Sequence, residues 1–533
     1  MNLVIFIPLL VVYLIIMSGL AYYGYRKTNT EADYLIAGGN INPVVMALSY
    51  GATFISTSSL IGFGGVSATF GFGLLWLAFL NIVLGVFVAF AVFGTRIRRL
   101  SKELNVFTFP SLLGEKYNSR FITVFSGLMI FVFMPAYTSI VLIGGGRFIE
   151  KTLGINFNVG LLVIALIVGI YVVSGGIKAV MYTDAFAALM MLFMMAMFLF
   201  MIYQSVGGVS VGHSALTAMQ DLVPEALLEQ GHNGWTAMPD FGSPLWWTLV
   251  STLIMGVGIG VLAQPQLAMR AMTVKDDRSL YRSVLVGGIF IFFMTGAIYM
   301  IGPLSNVYFY NTQGELALAV AGGNPDTVVP ILIANMMPDW FVYLFTLTAL
   351  SAVLSTVSSL IHVQASSFSE DILKKMGVTS FFGNKTELTR IGVIIGIIAA
   401  IVLAYVLPGG VIARATAFWF GICAAGFLPV LIGALFWDKG TAKAANASVV
   451  VGFTVSIVGF IFLHEKEAAA FGISKVLFGK STLLGYPMTH VDPLFYALPL
   501  SAIVFIVVSL VTGRDKQVEQ HDDVGLDHDI ASK

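Results

Sequence analysis

The apolar positions of this chain come in long unbroken blocks, not in the alternating or one-sided stripes of soluble elements. Crossing a bilayer takes about 20 mostly apolar residues in a helix. On that rule the pattern predicts thirteen spans, at 3–25, 44–69, 73–95, 121–146, 156–177, 182–204, 246–269, 283–304, 340–369, 391–407, 415–437, 444–463 and 492–512. The expected fold class is therefore an all-α integral membrane protein with a single transmembrane domain over residues 1–512. Beyond residue 512 the apolar period is lost, so 513–533 reads as a solvated, flexible cytoplasmic tail. Residues 3–17 have no preceding basic residue and no small-residue cleavage site after them, so they read as an uncleaved span.

Composition agrees with the blocks. Of 533 residues 58% are hydrophobic and 11% charged, less than half the charge of a soluble domain. The formal net charge is zero, which argues against nucleic acid as a partner, and one cysteine permits no intrachain disulfide. Counted over alternate loops, 22 of the 28 Lys and Arg fall on one side. The positive-inside rule places that side in the cytoplasm, the N-terminus outside and the C-terminus inside, as expected for a multi-pass protein of the plasma membrane. Two outside loops, 205–245 and 305–339, lack Lys and Arg and are long enough for short helices.

Polar residues within spans are costly and therefore informative. In "GATFISTSS", residues 51–59, five of nine side chains carry hydroxyls and a glycine-rich stretch follows. An unwound stretch inside a span frees backbone carbonyls for a cation, while the next half-helix offers its N-terminus to an anion. A second interrupted span reads "GVGIGVLAQPQ" at 256–266. The two breaks lie five spans apart, the mark of a five-plus-five inverted repeat with core halves at about 44–204 and 246–437. In 351–359, Ala352, Ser355, Thr356 and Ser359 share one helical face, with Ser358 beside them. Small residues and hydroxyls also serve close helix packing, but four hydroxyls on one side suit a hard cation that prefers oxygen. Asp184 is an intramembrane carboxylate near a cytoplasmic span end, with Lys178 a candidate partner. His362 and Gln364 lie beyond the hydroxyl face and read as hydrogen-bonded structural residues.

These stretches, with "DYLIAGGNINP" (33–43), "GGGRFIE" (144–150), "SGGIKAVMYTD" (174–184), "QPQLAMRAMTVKD" (264–276) and "SEDI" (369–372), resemble the sodium:solute symporter family over nearly the whole chain. The resemblance implies a LeuT-type core with one extra N-terminal and two extra C-terminal helices. It also implies Na⁺ as the co-transported ion, bound by carbonyls of Ala52, Ile55 and Ala352 and hydroxyls of Ser355 and Thr356. Members resembling sialic acid transporters hold a second Na⁺. The matching positions here are Asp184 in the fifth core helix, with Ser355, Ser358 and Ser359 in the eighth. The substrate region would comprise Thr53, Ser56, Thr57, Ser58, Tyr137, Val257, Val261 and Gln264.

Proline-type members carry an aspartate and a tryptophan where this chain has Phe54 and Ser58, and aromatics where it has Val257 and Val261. The stretch "ATFISTSSLIGFGG" is instead similar to pantothenate and monocarboxylate-type members, although Gln266 stands where they usually have His. The expected function is Na⁺-coupled symport of a small organic solute by alternating access, with a small carboxylate first and an amino acid or sugar as alternatives. No buried basic side chain is expected at the substrate, because Arg147, Arg270 and Arg414 read as span-end residues. The scattered histidines offer no catalytic constellation, so an enzyme is not expected. A sensor would need an output domain, and a channel remains a remote alternative. The expected partners are the solute, Na⁺ and the lipid bilayer, with no obligate protein partner.

Overall fold

A computed structural model describes residues 3–378 and 387–529 of the chain. Among the described residues there are helices and no strands. Eleven helices are long and apolar enough to cross a bilayer, and two shorter apolar helices, Pro43–Phe54 and Phe157–Gly169, accompany them. The expected spans fall mainly on helix, apart from short breaks within the first and sixth core helices. The expected boundary near residues 70–73 is a short tight turn, Gly71–Leu74, inside the helical run Ser58–Leu104. The expected boundary near 178–181 lies a few residues earlier. Helical backbone continues from Phe157 to Ser205 except at Gly176, whose φ of +60° is open to glycine and strained for other residues. Of the expected tail, residues 530–533 lie outside the described residues, and the last helix runs Leu494–Asp529.

Both expected breaks in the spans are present. Asn42 starts the first core helix by accepting from the Val44 N–H, and Pro43 sits where its missing N–H costs nothing. Helix Pro43–Phe54 then stops at Ile55, whose φ of −84° and ψ of 88° are not helical. The chain resumes helix at Ser58, whose N–H donates to the Ser56 hydroxyl oxygen at 3.1 Å. In the sixth core helix, Val257–Gly260 tightens into a turn at Val261–Ala263. Gln264 is extended, at φ −75° and ψ 117°, and Pro265 opens the second half, Pro265–Ala271. Pro265 explains this break, since it has no N–H and disfavours helix at the residue before it.

The eighth core helix, Asp339–Ser366, is the centre of the bundle: 94% of its most apolar window is buried. It packs against Arg120–Leu153, Phe157–Ser205 and the first core helix. By contrast, only 17% of the corresponding window of the N-terminal helix Leu3–Arg26 is buried, so it lies at the periphery against Phe157–Ser205. Helices Ala442–Phe462 and Leu494–Asp529 pair with each other and lean on the tenth core helix, Ile412–Phe436. The two Lys- and Arg-free loops do carry short helices, Val209–Ala218 and Glu225–Leu228 in one and Val328–Met336 in the other.

Candidate functional site

The first break faces the hydroxyls of the eighth core helix. Ser355 donates to the Ala52 carbonyl at 3.0 Å, and Thr356 donates to the carbonyls of Thr53 at 3.2 Å and Ala52 at 3.4 Å. Ser355 also reaches the Ala352 carbonyl at 3.3 Å. Ile55 is buried and its N–H is held by Gly51, while its own carbonyl begins the break. Hydroxyls and carbonyls from two helices thus meet, with no nitrogen or sulfur group between them among the described residues. A small hard cation is suited by such an oxygen set.

One turn further along the eighth helix the expected second cluster contains something the sequence reading placed elsewhere. Arg270, read there as a span-end residue, is buried at 1% exposure. Its Nη2 donates to Asp184 Oδ2 at 3.0 Å, to Thr53 Oγ1 at 2.9 Å and to Ser359 Oγ at 2.5 Å. Ser49 completes the group, donating to Asp184 Oδ2 at 2.8 Å. The expectation of no buried basic side chain near the site is therefore corrected. The second half of the sixth core helix continues inward from Pro265, and one helical turn carries Arg270 into the bundle. Asp184 is paired with Arg270 and not with Lys178, which bonds Asp33 at 2.6 Å. Burial alone would raise the Asp33 carboxyl. The Lys178 ammonium, the Asn29 N–H and the Thr30 hydroxyl instead hold it below the usual range.

The remaining expected residues divide. Thr53 joins the Arg270 cluster. Thr57 donates to the Val141 carbonyl at 2.8 Å and so fastens the break to the third core helix, Arg120–Leu153. Ser358 donates back to the Ser355 carbonyl at 3.1 Å. Tyr137 bonds Ser56 and lies edge-on to Phe420, with ring centroids 5.7 Å apart. Gln264 is fully buried, donates to the Gly260 carbonyl at 3.3 Å, accepts from Gln266 at 3.1 Å, and bonds the Cys423 thiol. Val257 and Val261 are buried apolar residues on the same helix. The Ser58 hydroxyl is buried and has no hydrogen-bond partner among the described residues. His362 is also buried, its ring tilted against Tyr34 with centroids 5.4 Å apart, and Gln364 donates to the Phe131 carbonyl at 3.2 Å.

Residues 34–452 match the pattern of the Sodium:solute symporter family. This chain belongs to that family. It is a Na⁺-coupled solute symporter, a multi-pass membrane transporter and not an enzyme, with Na⁺ as the co-transported ion. A sodium/pantothenate symporter of Haemophilus influenzae is 29% identical over 458 residues, 85% of this chain and 89% of the relative. A high-affinity proline transporter of Bacillus subtilis is 26% identical, covering 82% of this chain and 89% of that one. A solved Na⁺-coupled sialic acid symporter aligns with a TM-score of 0.74 at 17% identity, over 96% of this chain and 97% of the other. The fold is therefore of the LeuT type.

Proposed function

We propose that this symporter imports a small organic carboxylate, of the monocarboxylate or pantothenate type, across the plasma membrane by alternating access. Its N-terminus would lie outside and its C-terminus in the cytoplasm, following the 22-to-6 division of Lys and Arg. The Na⁺ would bind between the Ala52, Ile55 and Ala352 carbonyls and the Ser355 and Thr356 hydroxyls. The observation that carries the carboxylate reading is the second half of the first core helix. Its N-terminal end opens at the break, and there the buried Ser58 hydroxyl has no hydrogen-bond partner among the described residues. A helix N-terminus favours an anion, and the adjoining Na⁺ adds positive potential. Arg270 contributes little to a substrate anion, because Asp184 already answers its charge. Likeness to the pantothenate symporter supports this class, as does the lack of aromatic side chains at positions 257 and 261.

Competition for uptake into proteoliposomes tests the reading. Small monocarboxylates and pantothenate should inhibit, and their affinity should collapse when K⁺ replaces Na⁺. Inhibition by neutral polyols or by zwitterionic proline, with no effect of any monocarboxylate anion or of pantothenate, would overturn the substrate class and leave the Na⁺ coupling standing.

A further inference from the structure

We propose that the groove between the fourth and ninth core helices holds one phospholipid with an anionic headgroup. Helices Phe157–Ser205 and Glu387–Val406 pack on each other and on Arg120–Leu153, and leave an open groove of about 710 Å³ between them. Ligand pockets occupy about 300–1,000 Å³, so the space is ample for a long chain. Leu162, Ala165 and Leu166 form one wall, and Ile394, Ile398 and Ile401 the other. Leu166 and Ile398 are exposed, so in a spanning region this face meets lipid. Gly169 keeps the groove open toward the start of the ninth helix, since a Cβ there would lie 3.3 Å from Ile397 Cδ1. At the other end the Tyr405 hydroxyl closes the gap by donating to the Asn158 carbonyl at 3.3 Å. A lining this apolar suits an acyl chain and gives a polar solute nothing to bond.

The charge at the open end selects the lipid. Arg390 precedes Ile394, Ile397, Ile398 and Ile401 at i+4, i+7, i+8 and i+11, so it heads the helical stripe that lines the groove. It is exposed and forms no ion pair among the described residues. A guanidinium presents paired N–H donors that match a phosphate, which an anionic lipid carries at the head of its chains. Length agrees with this. From Arg390 to Ile401 the helix rises about 16 Å, roughly half of the ~30 Å hydrocarbon core. A head held at Arg390 thus lays its chain along the groove within a single leaflet. That leaflet is the cytoplasmic one on the orientation proposed above, although the binding itself does not depend on it. A helix from a second copy would cover the same apolar walls, but it would leave the Arg390 charge unanswered.

Native mass spectrometry of the delipidated full-length chain tests this, with phosphatidylglycerol and phosphatidylcholine of identical acyl chains as the probes. One lipid should stay bound per chain. Phosphatidylglycerol should be held about fivefold more tightly, the worth of one basic residue at an anionic surface. Arg390→Gln should bring phosphatidylglycerol down to the phosphatidylcholine value. Gly169→Leu, which blocks the groove, should remove both, and Ile398→Trp on the exposed wall serves if that variant does not fold. In nanodiscs, a photoreactive acyl chain on phosphatidylglycerol should label residues 162–169 and 394–401. Equal retention of the two lipids, an unchanged preference in Arg390→Gln, or labelling spread evenly over all bilayer-facing helices would each overturn the proposal. Crosslinks joining this groove to a second copy would overturn it in favour of a dimer. None of these readouts involves the solute or Na⁺, so failure here leaves the proposed transport function untouched.

Discussion

The residues that face Ala52 and Thr53 from the eighth helix give the sharpest test of the first sodium site. Ser355 and Thr356 each spend their hydroxyl on a carbonyl of the broken helix. A hydrogen-bonding ligand to a charged group is worth about 1.5–3 kcal/mol. Ser355→Ala and Thr356→Ala should therefore each raise the Na⁺ concentration for half-maximal uptake roughly tenfold or more. Folding should be largely retained, because alanine is well tolerated where helices merely pack closely. Unchanged Na⁺ dependence in both variants would remove these residues from the site. Ser58→Ala separates the solute from the ion: KM for the solute should rise several-fold with the Na⁺ dependence at saturating solute preserved. At this scale the sequence was informative wherever polar groups clustered. The hydroxyl face of 351–359 and the stretch 51–59 stand out against apolar surroundings, and they meet in space. Arg270 did not stand out. A basic residue six positions after a glutamine–proline break looks like a cytoplasmic anchor, and only the inward course of Pro265–Ala271 shows it buried.

At the scale of elements, the breaks were legible because glycine and proline punctuate helices for local reasons. The partition near Gly176 was legible only approximately, since hydropathy alone does not mark where a helix bends. Gly260 gives a test of how closely the sixth core helix must approach the tenth. A Cβ at this position would fall 2.5 Å from the Phe420 carbonyl oxygen, which is backbone and cannot rotate away. Overpacking of this kind costs about 1–3 kcal/mol. Gly260→Ala should lower the unfolding temperature in detergent and slow uptake, because Phe420 also packs on Tyr137. The outer loop element Pro325–Thr327 gives a pH test. Asp326 accepts from the Val411 N–H at 3.1 Å, just ahead of the tenth core helix. Burial pushes its carboxyl up to about 6 from an ordinary 3.8, although nearby backbone N–H groups act to lower it. A carboxyl raised on folding contributes stability that is full below its ordinary value and lost as pH rises through the folded one. Thermal stability should thus fall between pH 4 and 7. Asp326→Asn, which keeps the acceptor but never ionises, should flatten part of that slope. An identical slope in the Asp326→Asn protein would exclude this origin.

For the whole molecule, ion count and substrate charge together fix how steeply solute can be concentrated, and the carboxylate proposal makes a distinct prediction for each ion count. Moving one net charge through 100 mV is worth about 2.3 kcal/mol, or roughly fiftyfold in concentration. A tenfold Na⁺ gradient adds about 1.4 kcal/mol per ion, a further tenfold. One Na⁺ moving with a monoanion carries no net charge, so the membrane potential drops out and accumulation is limited to about tenfold under that gradient. One Na⁺ with a neutral solute would instead reach roughly 500-fold, and two Na⁺ with a monoanion roughly 5,000-fold. The buried Arg270–Asp184 pair moves no extra charge, because both of its members belong to the protein. Proteoliposomes with the potential set by K⁺ and valinomycin distinguish these cases. Under a fixed Na⁺ gradient, steady-state uptake of the carboxylate should be the same at zero and at −100 mV with one coupled Na⁺, and roughly fiftyfold higher at −100 mV with two. Voltage-driven accumulation of a monoanion would require a second ion. Voltage-driven accumulation of a neutral solute alone would instead show that the carboxylate is the wrong cargo.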